Sequence, residues 1–303
     1  MTQLPASVAA HQPYKKRALL ASILTYAVLV FWSLVCLFPL YWVAVTSLKG
    51  EPEIMRGPFY LPFVDFTPSF DAWVSILTYV NDHLLLRFFN SAVVGITSTL
   101  LTVLLGGLAV YGLTRFRHRV PWTALGDRSI MTAILATRIL PPVVVVLPIY
   151  MMAQYTGTLD THFALIFAYT AANLPVAVWL LLPVFGNTAT SQEEAAQLDG
   201  ASHFRIFLTI FLPMVAASTA AVGLVIFILC WNEYLFAAYL TSDKVSTLPP
   251  WIVGQMSIKE AQVGGEGDEW PQLSAAIIFM IVPLLACTAL AQRVLSRMAL
   301  RNR

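Results

Sequence analysis

Long apolar runs separated by short polar ones set the reading of this chain. Six runs are long enough to cross a hydrocarbon layer as helices, which takes about 20 residues. They extend from Leu19 to Ser47, Phe88 to Thr114, Ser129 to Met152, Phe163 to Phe185, Pro213 to Leu240 and Leu273 to Leu290. The expected fold is an all-α membrane protein with six transmembrane helices, and an even number of crossings puts both termini on one side. The first run follows Lys15, Lys16 and Arg17 but exceeds the apolar region of a signal peptide, and no small-residue cleavage site closes it. It reads as a retained helix. The polar intervals give outer loops at 48–87 and 241–271, an inner polar loop at 187–213, a leading segment 1–18, a membrane domain 19–292 and a tail 293–303. The Pro- and aromatic-rich outer loop predicts a short interfacial helix around Phe70 to Leu77, with Trp73 at headgroup depth. The loop containing GGEGDEW is acidic and expected to be mobile.

Composition sharpens the class. Of 303 residues 58% are hydrophobic and only 11% charged, and the mean hydropathy is +0.73, well above an ordinary soluble domain. Net charge is +2 with no basic face, which argues against a nucleic-acid partner and leaves membrane lipid as the surrounding phase. Cys36, Cys230 and Cys287 lie inside apolar runs without metal-ligand spacing and read as small buried hydrophobes. Basic residues orient the chain. With the termini inside, twelve of the 18 Lys and Arg fall on the inner side, five outside, and Arg138 within a span. That asymmetry predicts a cytoplasmic N-terminus.

One inner segment is conspicuously polar: EEAAQLDGASHFRIFLTIFLP, Glu193 to Pro213. Ser191 followed three residues later by Glu194 predicts a capping box opening a helix, Glu193 and Glu194 suit its positive end, and Gly200 suits its left-handed stop. Ser202 predicts a second cap, for a helix through Phe204 and Phe207, with Pro213 marking entry to the fifth span. A helix of about eight residues is too short to be stable alone, so it packs on something. Either it is a solvated elbow between spans, or it is a knob presented to a soluble partner, with Ala195 and Ala196 allowing close approach.

The run Glu194, Ala195, Ala196, three residues, Gly200, nine residues, Ile210, one residue, Leu212, Pro213 resembles the EAA loop of permease subunits of bacterial ABC importers. DGAS after the motif, WNEYLF at Trp231 to Phe236, TLPP at Thr247 to Pro250, FNS ending at Ser91, LAVYGLTRF, and RILPPVVVVLPIY resemble the carbohydrate-uptake, MalG-type branch. The likeness runs from about Phe38 to Arg293.

The resemblance implies a type I ABC importer (MetI-like) permease fold in a bacterial inner membrane. Its implied partners are a second, related permease subunit forming a heterodimer, two cytoplasmic ATPases that bind ATP and Mg, and an extracytoplasmic solute-binding protein. It implies that Glu194, Ala195, Ala196, Asp199, Gly200 and Ala201 couple ATPase closure to the spans. The whole stretch from Glu193 to Phe204, Leu198 included, is expected to rest on the ATPase. The tail departs from the family's usual glycine-rich ending, reading SRMALRNR. No G-x-x-x-x-G-K-[ST] loop occurs, so the chain has no phosphate cradle of that kind, and no cofactor, metal or catalytic residue is assigned to it.

Within the membrane, Arg138 lies roughly 15 Å into the third span, where a cation must face protein or water. It either ties helices together or lines a solute pathway. Pro141, Pro142 and Pro148 favour a kink there. Trp231, Asn232, Glu233 and Tyr234 offer the polar and aromatic groups that grip sugars, but such residues also glue helices. Glu233, near the outer end of its span, is expected to lie at a different depth from Arg138. Tyr150, Tyr169, Asn173 and Trp179 are lesser pathway candidates. Ser91, Gly95, Thr99, Thr102 and Gly106 form a small-residue packing stripe. A secondary transporter is the competing reading; it needs a dense intramembrane carboxylate site, for which only Glu233 speaks. A membrane enzyme needs convergent catalytic groups, whereas the histidines are dispersed.

Overall fold

A computed structural model describes residues 12–57, 60–78, 81–115, 127–188, 190–242, 244–254 and 270–301. The N-terminal residues 1–11, the basic stretch 116–126, most of the acidic GGEGDEW loop (255–269) and the last two residues lie outside the described ones. Among the described residues every regular element is helical, apart from one isolated bridge between Pro62 and Phe66.

In chain order the helices are α1 (Gln12–Thr46), α2 (Glu51–Arg56), α3 (Asp71–Thr78), α4 (Asn81–Arg115), α5 (Asp127–Ala136), α6 (Pro142–Tyr155), α7 (His162–Gly186), α8 (Ser191–Leu198), α9 (His203–Ile206), α10 (Leu212–Trp231), α11 (Leu235–Leu240) and α12 (Trp270–Arg301). A single 3₁₀ turn, Thr137–Ile139, follows α5, and a π-helical turn, Phe207–Phe211, joins α9 to α10. Five stretches are long and apolar enough to cross a bilayer: Ala21–Thr46, Leu84–Arg115, His162–Gly186, His203–Trp231 and Trp270–Arg293.

Two expected spans are interrupted, the first at the prolines expected to kink it. The run Ser129 to Met152 is not one rod: Thr132–Ile139 and Pro142–Tyr155 meet at 92°. Leu140 and Pro141 each precede a proline, which excludes the α conformation on steric grounds, and both are extended at ψ 130° and 134°. The run Pro213 to Leu240 also breaks, because α10 stops at Trp231 and α11 restarts at Leu235. The expected interfacial helix is α3.

The chain divides into two compact units, Met1–Ser75 with Gly267–Ile278, and Ile76–Glu266 with Phe279–Arg303. In the first, the described side chains of α1 from Ala21 to Tyr41 are all exposed. Beyond α1, the Trp73 indole donates to Ser47 Oγ at 3.3 Å. The Lys49 ammonium sits 4.9 Å from the Trp42 ring centre and 5.6 Å from that of Phe66. Burial pushes its pKa down, with Asp65 opposing.

The second unit is built on α4 lying along α7, with α10 packed against both. Lipid tails are as apolar as these side chains, so helix association rests on close packing and internal hydrogen bonds more than on expulsion of water. Gly106 permits that approach: a Cβ there would sit 3.1 Å from Ala177 Cβ. Around it Val110, Val178, Leu181, Phe185 and Phe211 are buried. Gly112 on the same helix has nothing within 4 Å of a built Cβ. Gly106→Val therefore forces α4 off α7 and costs about 1–3 kcal/mol, read as a lowered unfolding temperature in detergent. Gly112→Ala, the matched control, loses nothing.

Candidate functional site

The polar segment forms α8. Its cap differs from the expected box: the helix is entered from Thr190, whose side chain makes no cap to the backbone. Instead the Thr190 hydroxyl donates to Glu194 Oε1 at 2.7 Å, fixing the Glu194 side chain along the first turn. The stop is as expected. Gly200 lies at φ +80°, Ala201 N–H reaches back to Ala196 O and Gly200 N–H to Gln197 O, both at 3.0 Å, a Schellman closure. Ser202 Oγ then accepts from Arg205 N–H and opens α9.

The two acids of α8 part company. Glu194 is exposed, whereas Glu193 is only 2% exposed and turned into the protein. Arg115, the last residue of α4, meets Glu193 with two nitrogens: Nη2 donates to Oε1 at 2.8 Å and Nε at 3.0 Å. Tyr111 OH donates to Glu193 Oε2 at 3.2 Å. The same guanidinium donates from Nη1 to Phe185 O, in the last turn of α7, and from Nη2 to Thr188 O, just past its end. It also lies 5.1 Å from the centre of the Phe211 ring. Beneath it, Tyr111, Phe185, Phe207 and Phe211 form an aromatic cluster with centroids 4.6 to 6.0 Å apart. One residue thus ties α4, α7, α8 and the π turn together.

What α8 leaves outside is the opposite face. Ala195, Gln197, Leu198 and Asp199 are exposed, Leu198 to 90%, and Phe204 of α9 stands out at 67%. Ala196 and Ala201 are half-buried. Leu198 of α8 and Phe204 of α9 are large apolar side chains left uncovered by the chain itself. Glu193 does not belong to that face: its carboxylate is spent on Arg115 and Tyr111.

The membrane candidates separate in the same way. Arg138 is exposed at the bend between α5 and α6, and its Nη1 donates to Ala172 O at 2.8 Å. It borders a cavity of about 270 Å³ lined also by Thr137, Val145, Ile149, Ala171 and Phe236. Glu233 does not line it. Asn173 and Trp231 do not either, and both are buried and committed. Asn173 Nδ2 donates to Tyr169 O and Cys230 Sγ, and the Trp231 indole donates to Met280 O at 3.1 Å. These bonds hold α7 to α10 and α10 to α12. Asn232 Nδ2 donates to Ile228 O at the end of α10, and Glu233 Oε1 accepts from Phe236 N–H at the start of α11. Tyr234 is exposed and Tyr150 half-buried. Among the described residues no group of three or more His, Cys, Asp and Glu could hold a metal.

A second polar knot lies at the opposite end of α7 from α8. Asp160, at φ +55°, accepts from Ser242 N–H, Ser242 Oγ–H, Lys244 N–H and Val245 N–H, all at 3.1 to 3.2 Å. Asn90 Nδ2 donates to Lys244 O and Ser246 O, so its Oδ1 is left to accept from His162 Nε2 at 3.1 Å. Ser91 Oγ accepts from Leu248 N–H at 2.8 Å. Burial raises the Asp160 carboxyl, but its hydrogen bonds outweigh that and hold it below the usual carboxylate range. Sequence reasoning missed Arg115, which read only as one of the inner positive charges. It also missed Asp160, whose one signal was an acid in the short interval between two apolar runs.

A bundle of long apolar helices carrying one pinned, outward-facing polar helix defines a multi-pass membrane protein. The chain belongs to the family described as binding-protein-dependent transport system inner membrane component, which matches residues 121–300. It is a permease component of an ABC transporter in the inner membrane. It is 30% identical over 271 residues to the diacetylchitobiose uptake system permease protein NgcG of Streptomyces coelicolor, covering 89% of this chain and 84% of that protein. It is 28% identical over 266 residues to the trehalose/maltose transport system permease protein MalG of Thermococcus litoralis, covering 87% and 90% respectively. Its fold superposes on a chain of a bacterial ABC transporter that imports the acidic polysaccharide alginate, with a TM-score of 0.71 at 20% identity over 94% of this chain and 99% of that one.

Two outcomes follow from the knots. Glu193→Ala leaves the Arg115 charge buried without its partner and costs about 3–5 kcal/mol, measured as a fall in unfolding temperature. Because the Asp160 pKa is depressed on folding, its contribution is fully present above the ordinary carboxylate pKa and is lost as pH falls through the depressed value. Exchange of the Ser242, Lys244 and Val245 amides therefore stays slow at mildly acidic pH, and in Asp160→Asn it accelerates at neutral pH by about tenfold or more.

Proposed function

We propose that this chain is the transmembrane subunit of an ATP-driven importer that carries a carbohydrate or sugar derivative inward across the bacterial inner membrane by alternating access. The single observation that carries the mechanism is α8. It is a helix too short to hold itself, fixed on one face by a buried ion pair and showing a leucine on the other, with Phe204 of the following α9 also exposed. A soluble ATPase seated on Leu198, Asp199, Gly200 and Phe204 has a rigid lever to push. The relatives' printed functions, uptake of diacetylchitobiose and transport of trehalose and maltose, support the carbohydrate class.

In this reading the broken helix α5–α6 completes six crossings and both termini are cytoplasmic, in keeping with the excess of inner basic residues. The stretch 187–213 is the coupling loop, 48–87 and 241–271 face outward, and 19–292 form the membrane domain. A second, related permease subunit completes the pathway, two ATPases bind ATP and Mg, and a solute-binding protein delivers the cargo. The Arg138 cavity, with Ala172 O already holding one guanidinium nitrogen, leaves further donors for the hydroxyls or acids of a passing sugar. Asn232, Glu233 and Tyr234, at the break between α10 and α11, are the other polar groups available to it.

Gly200 tests the coupling directly, since a Cβ there meets nothing within 4 Å in the chain itself and only the positive φ resists substitution. Gly200→Val should insert and fold at a cost of about 1–2 kcal/mol. ATP-driven uptake by the reconstituted complex, assayed over a panel of oligosaccharides, should fall about tenfold or more. Unimpaired uptake by the assembled variant overturns the role given to α8.

A further inference from the structure

We propose that Glu193 is a positioning residue and not part of the ATPase-facing surface: its ion pair with Arg115 is the joint that delivers displacement of α8 to the ends of α4 and α7. This rests on the reading of α8 as the ATPase-docking helix and adds how its movement enters the membrane.

The geometry is specific to force transmission. Arg115 closes α4, so the guanidinium is fastened to a 35-residue helix at its last turn. Four of its five N–H groups are shared between the carboxylate of α8 and the Phe185 and Thr188 carbonyls at the end of α7. Two nitrogens on one carboxylate resist both sliding and rotation, which a single hydrogen bond does not. Phe211, against the guanidinium, belongs to the π turn that leads into α10. A shift of α8 therefore pulls on the inner ends of three spans at once. The remaining contacts of α8 do not supply this. Leu198 is outside, Ala195 is exposed, and among the described residues the Glu194 carboxylate bonds to Thr190 within its own first turn. A helix with small, exposed residues in its middle slides unless it is pegged, and Glu193 is its one buried described residue.

Removal of one partner strands a buried charge, so the decisive variant replaces both. Arg115→Met with Glu193→Met fills the space with apolar side chains of similar reach, an exchange that commonly leaves stability intact while removing the directional bonds. It is made in the complete transporter, cysteine-free except for two separately introduced reporters. Leu198→Cys reports docking by cross-linking to the ATPase. Ala171→Cys, which lines the Arg138 cavity on α7, reports movement of the spans by its labelling rate with a membrane-impermeant maleimide, nucleotide-free against vanadate-trapped with ATP. With the native pair, the cross-link forms and the labelling rate changes between states by about tenfold. In the double variant the cross-link persists and the change shrinks to about twofold or less. A double variant whose labelling responds as the native pair does overturns the joint while leaving α8 docking in place. Absence of the cross-link with the native pair in both states overturns the docking reading, and the joint with it.

Discussion

In a hydrocarbon layer no water completes a broken hydrogen bond, so every backbone N–H and C=O must be satisfied by the chain itself. That constraint explains where this structure is regular and how it is repaired where it is not. The long helices close their own bonds. At the interruptions a side chain adds a bond to a backbone carbonyl: Arg138 to Ala172 O beside the bend at Pro141, Asn232 to Ile228 O where α10 stops, Tyr169 OH to Glu233 O just beyond, and Arg115 to Phe185 O and Thr188 O where α7 ends. The π turn before Pro213 belongs to the same economy, since Leu212 N–H returns to Phe207 O five residues back.

Those patches are where the polar residues of an apolar chain are concentrated, and they sort into two kinds. Some are closed off by the repair itself. Asn173 and Trp231 are buried and spend their donors inside the bundle. Others keep capacity in hand. Arg138 gives one nitrogen to Ala172 and turns the rest of its guanidinium toward a cavity. The difference is one of exposure and bond count, and residue type does not reveal it.

The polar helix α8 shows the same sorting at closer range. Its two adjacent acids are chemically alike, yet a rotation of about 100° per residue sends Glu193 into the protein and leaves Glu194 on the surface. The inward one finds Arg115, 78 positions away in sequence. At the other end of α7, Asp160 gathers the backbone amides of Ser242, Lys244 and Val245 in the same manner, an anion held by amides rather than by a cation.

By itself the sequence determined that the chain is helical and lives in a membrane, because hydrophobicity over about 20 residues is a local property that the bilayer reads directly. It also determined the short helix and its glycine stop, since a left-handed closure depends on one residue type. The EAA spacing carried the family. Only the tertiary structure decided which polar groups are free. The inward turn of Glu193, the double duty of Arg115 and the burial of Asn173 depend on what a distant segment brings within about 3 Å, and hydrogen-bond geometry at that range is invisible to composition and periodicity.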